Sequence, residues 1–274
     1  AARNKDNLIE LAKIGSGSAV NNATYKIYYS TDAAAFSAGT AIEYTEPIAN
    51  ISYDTPIYVA IKHSSKAYYT EIEEKICGEY IEGVTVNTAD GFKNAIANGE
   101  SIITLTSDIT LTDLGEISIG ANTTIQSKTG AQYAITLDGN SRLTVATGKT
   151  VYFKGIKIYI AATATTINSD NGYYYGYITV RNNAKLYIVD SRVESLSTNL
   201  GSSQTAMIKI YRESPTNGYV EIRNSTIISP SGQNKGIALG AIRWVANTKP
   251  VYRIVDSTVK GNWIFHQGNY IIEG

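Results

Sequence analysis

The feature that most constrains this chain is an eight-residue pattern that occurs four times between residues 151 and 259. The clearest copy is Leu186-Tyr187-Ile188-Val189-Asp190-Ser191-Arg192-Val193. It is matched by Val151-Tyr152-Phe153-Lys154-Gly155-Ile156-Lys157-Ile158, by Val220-Glu221-Ile222-Arg223-Asn224-Ser225-Thr226-Ile227 and by Tyr252-Arg253-Ile254-Val255-Asp256-Ser257-Thr258-Val259. The fifth position holds Gly155, Asp190, Asn224 and Asp256, at spacings of 35, 34 and 32 residues. These residue types accept a left-handed backbone, so each copy predicts a strand, one αL turn residue and a second strand. Another ladder precedes each copy: Leu143-Thr144-Val145, Ile178-Thr179-Val180, Ile208-Lys209-Ile210 and Ile242-Arg243-Trp244, with Ile117-Ser118-Ile119 and Ile125 as a weaker early copy. A unit of this length cannot bury its apolar face alone. Stacked on its neighbours it can, which predicts a solenoid from residue 101 onward.

Composition narrows the function classes. A chain of 274 residues buries about three quarters of its unfolded surface and needs no disulfide staples. Cys77 is the single cysteine, in a position suited to an inert buried thiol, and the histidines are His63 and His266. A disulfide framework, a cysteine metal cluster, a His-rich metal site and a Ser/His relay are therefore not expected. Basic and acidic side chains balance at 24 each, which argues against nucleic acid, whose binding relies on cations neutralising phosphates. The balance is a sum of unequal parts: residues 1–80 carry 7 basic and 10 acidic groups, leaving 17 and 14 for the rest. No 18-residue apolar run predicts a membrane span. The first residues lack the apolar core of a signal peptide, so the expectation is either a cytosolic protein or a secreted one whose leader was removed.

The first 80 residues have a different periodicity. Short alternating runs at 25–30, 41–44, 56–62 and 68–76, with Pro47-Ile48 between, predict a small antiparallel sandwich. The strings Ile27 to Asp32, Gly39-Thr40, Tyr44 to Ile48 and Ile57 to Lys62 resemble the immunoglobulin-like module at the C-terminus of chitobiases, also a spacer in bacterial surface proteins. The module's usual T-D-G-S turn is here Thr31-Asp32-Ala33-Ala34. The resemblance implies a spacer without chemistry of its own. Residues 84–100 carry one clear helix signal: Thr88 as N-cap, Asp90 in the first turn, Phe92, Ala95 and Ile96 on one face, and Asn98-Gly99 at the end. A lone helix in a β chain suits a lid over an open sheet end.

Three strands per turn, alternating inward Ile, Val and Leu, and the Asn/Asp turn ladder resemble the right-handed parallel β-helix of pectate-lyase-like proteins, with the capping helix in that family's usual place. The expected fold is all-β: an immunoglobulin-like sandwich over 1–80, then a parallel β-helix over 81–274.

The resemblance also implies where chemistry would sit, because enzymes of this architecture place the substrate along the outer face of the first strand. Thr144, Thr179, Lys209 and Arg243 occupy those positions. In β-elimination of a uronate one cation neutralises the carboxylate while a base removes the α-proton, and a Lys209 amine made less basic by Arg243 fits that description. The competing reading is a solvated cationic face. A calcium site of the pectate-lyase kind needs carboxylates on that strand, and Glu213 is the nearest; no metal or cofactor is expected. Asp190 and Asp256 could pair as hydrolytic carboxylates, but Asn224 between them makes αL turn residues the stronger reading. The short signatures of polygalacturonases are absent from the sequence. Asp138-Gly139-Asn140 and Asn168 to Gly172 resemble fragments of calcium loops and read more simply as turns.

Tyrosine outnumbers phenylalanine 21 to 4. Tyr173, Tyr174, Tyr175 and Tyr177 crowd one loop edge beside Thr179 and form the expected glycan-binding patch, since sugar rings stack on exposed aromatic faces. Tyr152 and Tyr187 share the outward position of successive copies and should stack on each other. The expectation is a monomeric, secreted or cell-surface bacterial protein that binds polysaccharide or surface glycan without catalysis. The alternative is a polysaccharide lyase acting on uronates.

Overall fold

The computed structural model describes residues 2–3, 8–11, 21, 24–51, 55–76, 81–128, 130–165, 176–197, 206–211, 217–229, 237–241, 250–265 and 269–273. The chain divides into two compact units, Ala1–Ile81 and Glu82–Gly274. Among the described residues no helix is long and apolar enough to cross a membrane.

The first unit is built on an antiparallel sheet in the order Ile42–Glu43, Tyr25–Ser30, Pro56–His63, Glu73–Ile76, together with a separate pair formed by Ala2–Arg3 and Ile9–Glu10. Ile9, Leu11, Ile27, Tyr44, Ile48 and Ile57 make its core. Where a turn-rich stretch was expected, Ala34–Ala38 forms one turn of helix that ends at Gly39 with φ 75°. Asp32 starts it by accepting the Ala34 N–H at 2.9 Å, and the alanines that follow are good helix formers.

The second unit contains three long parallel sheets. The first holds Glu116–Ile119, Arg142–Val145, Ile178–Val180, Ala206–Ile210, Ile237–Ala241 and Asn262–Phe265. The second runs from Val84–Val86 and Ile102–Leu105 through Thr123–Ser127, Thr150–Lys154, Lys185–Val189 and Tyr219–Arg223 to Val251–Val255 and Asn269–Glu273. The third holds Ile109–Thr112, Ala134–Asp138, Lys157–Ile160, Arg192–Ser195, Thr226–Ile228 and Thr258–Lys260. From Ile102 onward the chain visits second, third and first sheet in that unchanging order, adding one strand to each per pass. This strand order is compatible with a parallel β-helix.

Alternation dictates the interior. Ile125, Phe153, Ile188, Ile222 and Ile254 line up in register along the second sheet, and Ile135, Ile158, Val193 and Ile227 along the third. With Leu143, Ile178 and Ile208 of the first sheet they form one continuous core. Tyr252 reaches across it: its hydroxyl accepts the Ile210 N–H at 3.2 Å and donates to the Ile208 carbonyl at 3.4 Å.

The helix Ala89–Ala97 appears where its local signals put it. Thr88 Oγ1 accepts the Gly91 N–H at 3.1 Å, and Phe92, Ala95 and Ile96 are buried. It packs on Val84–Val86, Ile109–Thr112 and Glu116–Ile119, which are the end strands of the three sheets. It therefore covers apolar edge positions that would otherwise meet water.

The αL ladder is present. Gly155, Asp190, Asn224 and Asp256 have φ of 63°, 50°, 45° and 46°. Each donates its N–H to the strand of the next pass, to Val189, Arg223, Val255 and Glu273 carbonyls at 3.0 to 3.2 Å. Asn224 Nδ2 also donates to Asp190 Oδ1 at 2.6 Å. Asp190 and Asp256 are thus turn residues. The position after them carries a second ladder: Ser191 Oγ, Ser225 Oγ and Ser257 Oγ accept the N–H groups of Ile156, Ser191 and Ser225 at 3.0 to 3.2 Å.

Candidate functional site

The first sheet brings Ser118, Thr144, Thr179 and Lys209 into one row, as the repeat predicts. The row then departs from expectation. Lys209 pairs in register with Gly240; Arg243, the expected partner, lies outside the described residues. The strand that follows is Ile237–Ala241.

From Thr144 to Lys209 the row is also closed. Thr144, Thr179 and Lys209 are 1%, 0% and 1% exposed. Part of the cover is Gly176, where a Cβ would lie 2.7 Å from Lys209 Cβ and 3.1 Å from its backbone nitrogen. Only glycine permits that approach, and Thr179 Oγ1 secures it by donating to the Gly176 carbonyl at 3.0 Å. Burial lowers the Lys209 ammonium to about 7, because the charged form is the one penalised away from water. The expected solvated cationic face is corrected: Lys209 is a covered amine.

Tyr177 is likewise removed from the surface. It is 0% exposed, belongs to the core, and its hydroxyl donates to the Thr165 carbonyl at 2.9 Å. Burial raises it to about 12. As placed, neither Tyr177 nor Thr179 can meet a glycan; Tyr173, Tyr174 and Tyr175 lie outside the described residues, as do Glu213, Cys77 and His266.

Beside this row Glu116 binds Arg142 at 2.9 Å and Arg181 at 3.5 Å, and Arg181 lies 4.4 Å above the Tyr211 ring. Burial pushes the Glu116 carboxyl up, but the hydrogen bond and charge of Arg142 and the charge of Arg181 outweigh it and hold it below the usual value. Both arginines are thereby committed to a carboxylate of the protein.

The turn Asp138-Gly139-Asn140 has its acceptors occupied. Asp138 Oδ1 accepts from Gly139 N–H and Thr163 Oγ1, and Asn140 Oδ1 accepts the Gly115 N–H at 2.8 Å. Among the described residues no group of three His, Cys, Asp or Glu side chains could hold a metal ion. The stretch Asn168 to Gly172 lies outside the described residues.

Around Tyr152, Lys154 and Lys185 the outer face of the second sheet is exposed instead. Tyr152 and Tyr187 pair in register and stack with centroids 4.6 Å apart at 10°, and Tyr187 meets Tyr219 at 5.6 Å. Tyr152 is 40% exposed. The same row continues as Glu221 and Arg253. Glu221 accepts from Tyr219 Oη at 2.6 Å and pairs with Arg223 at 2.6 Å and Arg253 at 3.3 Å; Arg253 also binds Glu273 at 2.7 Å. Tyr219 is raised to about 12, first by burial and then by the Glu221 carboxylate. This network was missed from sequence, although its signal was there: Glu221 and Arg253 replace tyrosine at the aligned outward position of adjacent copies.

Compared with protein-family models and with curated proteins, the chain matches none.

Proposed function

We propose that residues 82–274 form a right-handed parallel β-helix of the pectate-lyase-like type behind an immunoglobulin-like spacer of the chitobiase C-terminal kind. We propose further that the protein works at a bacterial surface or in secreted form, binding glycan without catalysis. The cyclic strand order, the αL ladder and the helix on the end strands support the architectural part. The observation that carries the functional part is the stacked Tyr152–Tyr187 pair, which leaves Tyr152 40% exposed on an open sheet face. A planar ring held by its neighbour is a preorganised platform for the C–H face of a sugar.

A polysaccharide lyase is the second reading, favoured by the Lys209 amine at about 7, where a general base is most useful. Against it stands the 1% exposure of Lys209 beneath Gly176, since a base must reach the proton it removes. A glycan array decides the binding reading. Retention of one or more glycans by the protein, lost in Tyr152→Ala, supports it; no retention, or retention indifferent to Tyr152, overturns it.

A further inference from the structure

We propose that the outer face of the second sheet around Tyr152 is a site for anionic glycans, with Tyr152 as the stacking ring and Lys154 and Lys185 as the anion contacts. This rests on the glycan-binding reading above and adds the ligand's charge and the site's walls. It also lies on a different sheet from Lys209.

Tyr187 covers one face of the Tyr152 ring. On the other side the neighbouring strand presents Thr124, a short side chain, in register, and Tyr152 stays 40% exposed. Lys185 pairs with Thr150 and Lys154 with Val189, so the two lysines flank the tyrosine pair on opposite sides, each two residues along its strand, about 7 Å away. Both lysines are exposed, and no ion pair among the described residues involves either. Arg223 continues the row of Lys154 and Val189, about 9.6 Å from Lys154 at two strand spacings, and its side chain is 50% exposed. The carboxylate in this row is covered: the Glu221 side chain, in register with Tyr187, is 6% exposed and held by Arg223, Arg253 and Tyr219. An exposed aromatic ring bordered by outward cations, with the carboxylate of its own row covered and ion-paired, complements a sugar carrying sulfate or carboxylate.

Titration calorimetry with heparin, polygalacturonate and neutral dextran tests this. The expected result is binding of one or both acidic polymers over dextran, weakening as salt rises, with a loss of ~2- to 5-fold for Lys154→Ala or Lys185→Ala and about tenfold or more for the double Lys154→Glu/Lys185→Glu variant. Lys93→Glu, the same charge change at an exposed position of the helix Ala89–Ala97, should leave affinity within about twofold. Preference for heparin or for polygalacturonate assigns sulfate or carboxylate as the anion. Dextran bound as well as the acids, with the double variant unaffected, overturns the charge assignment and leaves glycan binding intact. Binding of none of the three in this assay and of no glycan on an array overturns both. Double Gln substitution at the same lysines, with unchanged circular dichroism, separates lost contacts from lost folding.

Discussion

Gly176 sits so close to Lys209 that a single added Cβ would lie 2.7 Å from the lysine Cβ and 2.9 Å from the Ile178 carbonyl. Both neighbours are fixed parts of a strand, so neither can yield cheaply. Gly176→Ala is expected to lower the unfolding free energy by ~1–3 kcal/mol, read from urea denaturation at constant m-value. An unchanged midpoint would mean that Gly176 does not cover Lys209 in solution.

Lys209 also makes stability depend on pH. Burial holds it at about 7 in the folded protein against 10.5 for an ordinary lysine. Between those values the unfolded chain keeps a proton that the folded protein has released, so unfolding free energy should rise with pH, by at most ~1.4 kcal/mol per unit. Below about 7 both states are protonated and the cost of the buried charge is fully present. Above 10 the slope should reverse, because Tyr177 and Tyr219, raised to about 12, keep protons that unfolded tyrosines lose. Lys209→Met should flatten the rise between pH 7 and 9 and stabilise the protein most at pH 6. A wild-type profile without that rise contradicts the burial of this amine.

The αL ladder distinguishes residue types. Asn224 has φ 45° and its side chain bonds Asp190 Oδ1. Asn224→Gly keeps the backbone comfortable and should cost under ~1.5 kcal/mol, the worth of one hydrogen bond. Asn224→Val adds a branched side chain at positive φ and should cost at least ~1–2 kcal/mol more. Equal effects of the two in thermal unfolding would show that the left-handed conformation is not what selects the residue.

The serine ladder lies in the interior between passes. Ser225 Oγ accepts the Ser191 N–H at 3.0 Å and donates to the Arg223 carbonyl at 2.7 Å. Ser225→Ala leaves that buried N–H without an acceptor and should cost ~1–3 kcal/mol. Amide exchange should quicken first at Ser191 and at its counterpart Ile156, and uniform loss of protection would argue against a local ladder.

The sequence announces what each residue needs of its own backbone. Gly155, Asp190, Asn224 and Asp256 are legible because positive φ admits few residue types, and Thr88 and Gly99 because caps are local. The inward Ile and Val follow from alternation. Burial of Lys209 is not legible in the same way, because alternation says which face a side chain takes and not what passes over that face. The pairing of Ala206–Ile210 with Ile237–Ala241 is not legible for a related reason: pattern alone does not set the register of a strand among neighbouring apolar residues. The Tyr152–Tyr187 stack is legible from a shared outward position, whereas Thr124 beside it and the covered Glu221 carboxylate depend on sheet register and on the ion pairs of Arg223 and Arg253.

In the proposed glycan-binding reading Lys209, the depressed lysine among the described residues, is covered and takes no catalytic part. The most direct test is to incubate the protein with polygalacturonate and the other uronate polymers that it binds, and to follow absorbance from unsaturated chain ends. The expected result is binding that depends on Tyr152 with no increase in absorbance over hours. A steady increase that Lys209→Met abolishes would contradict it.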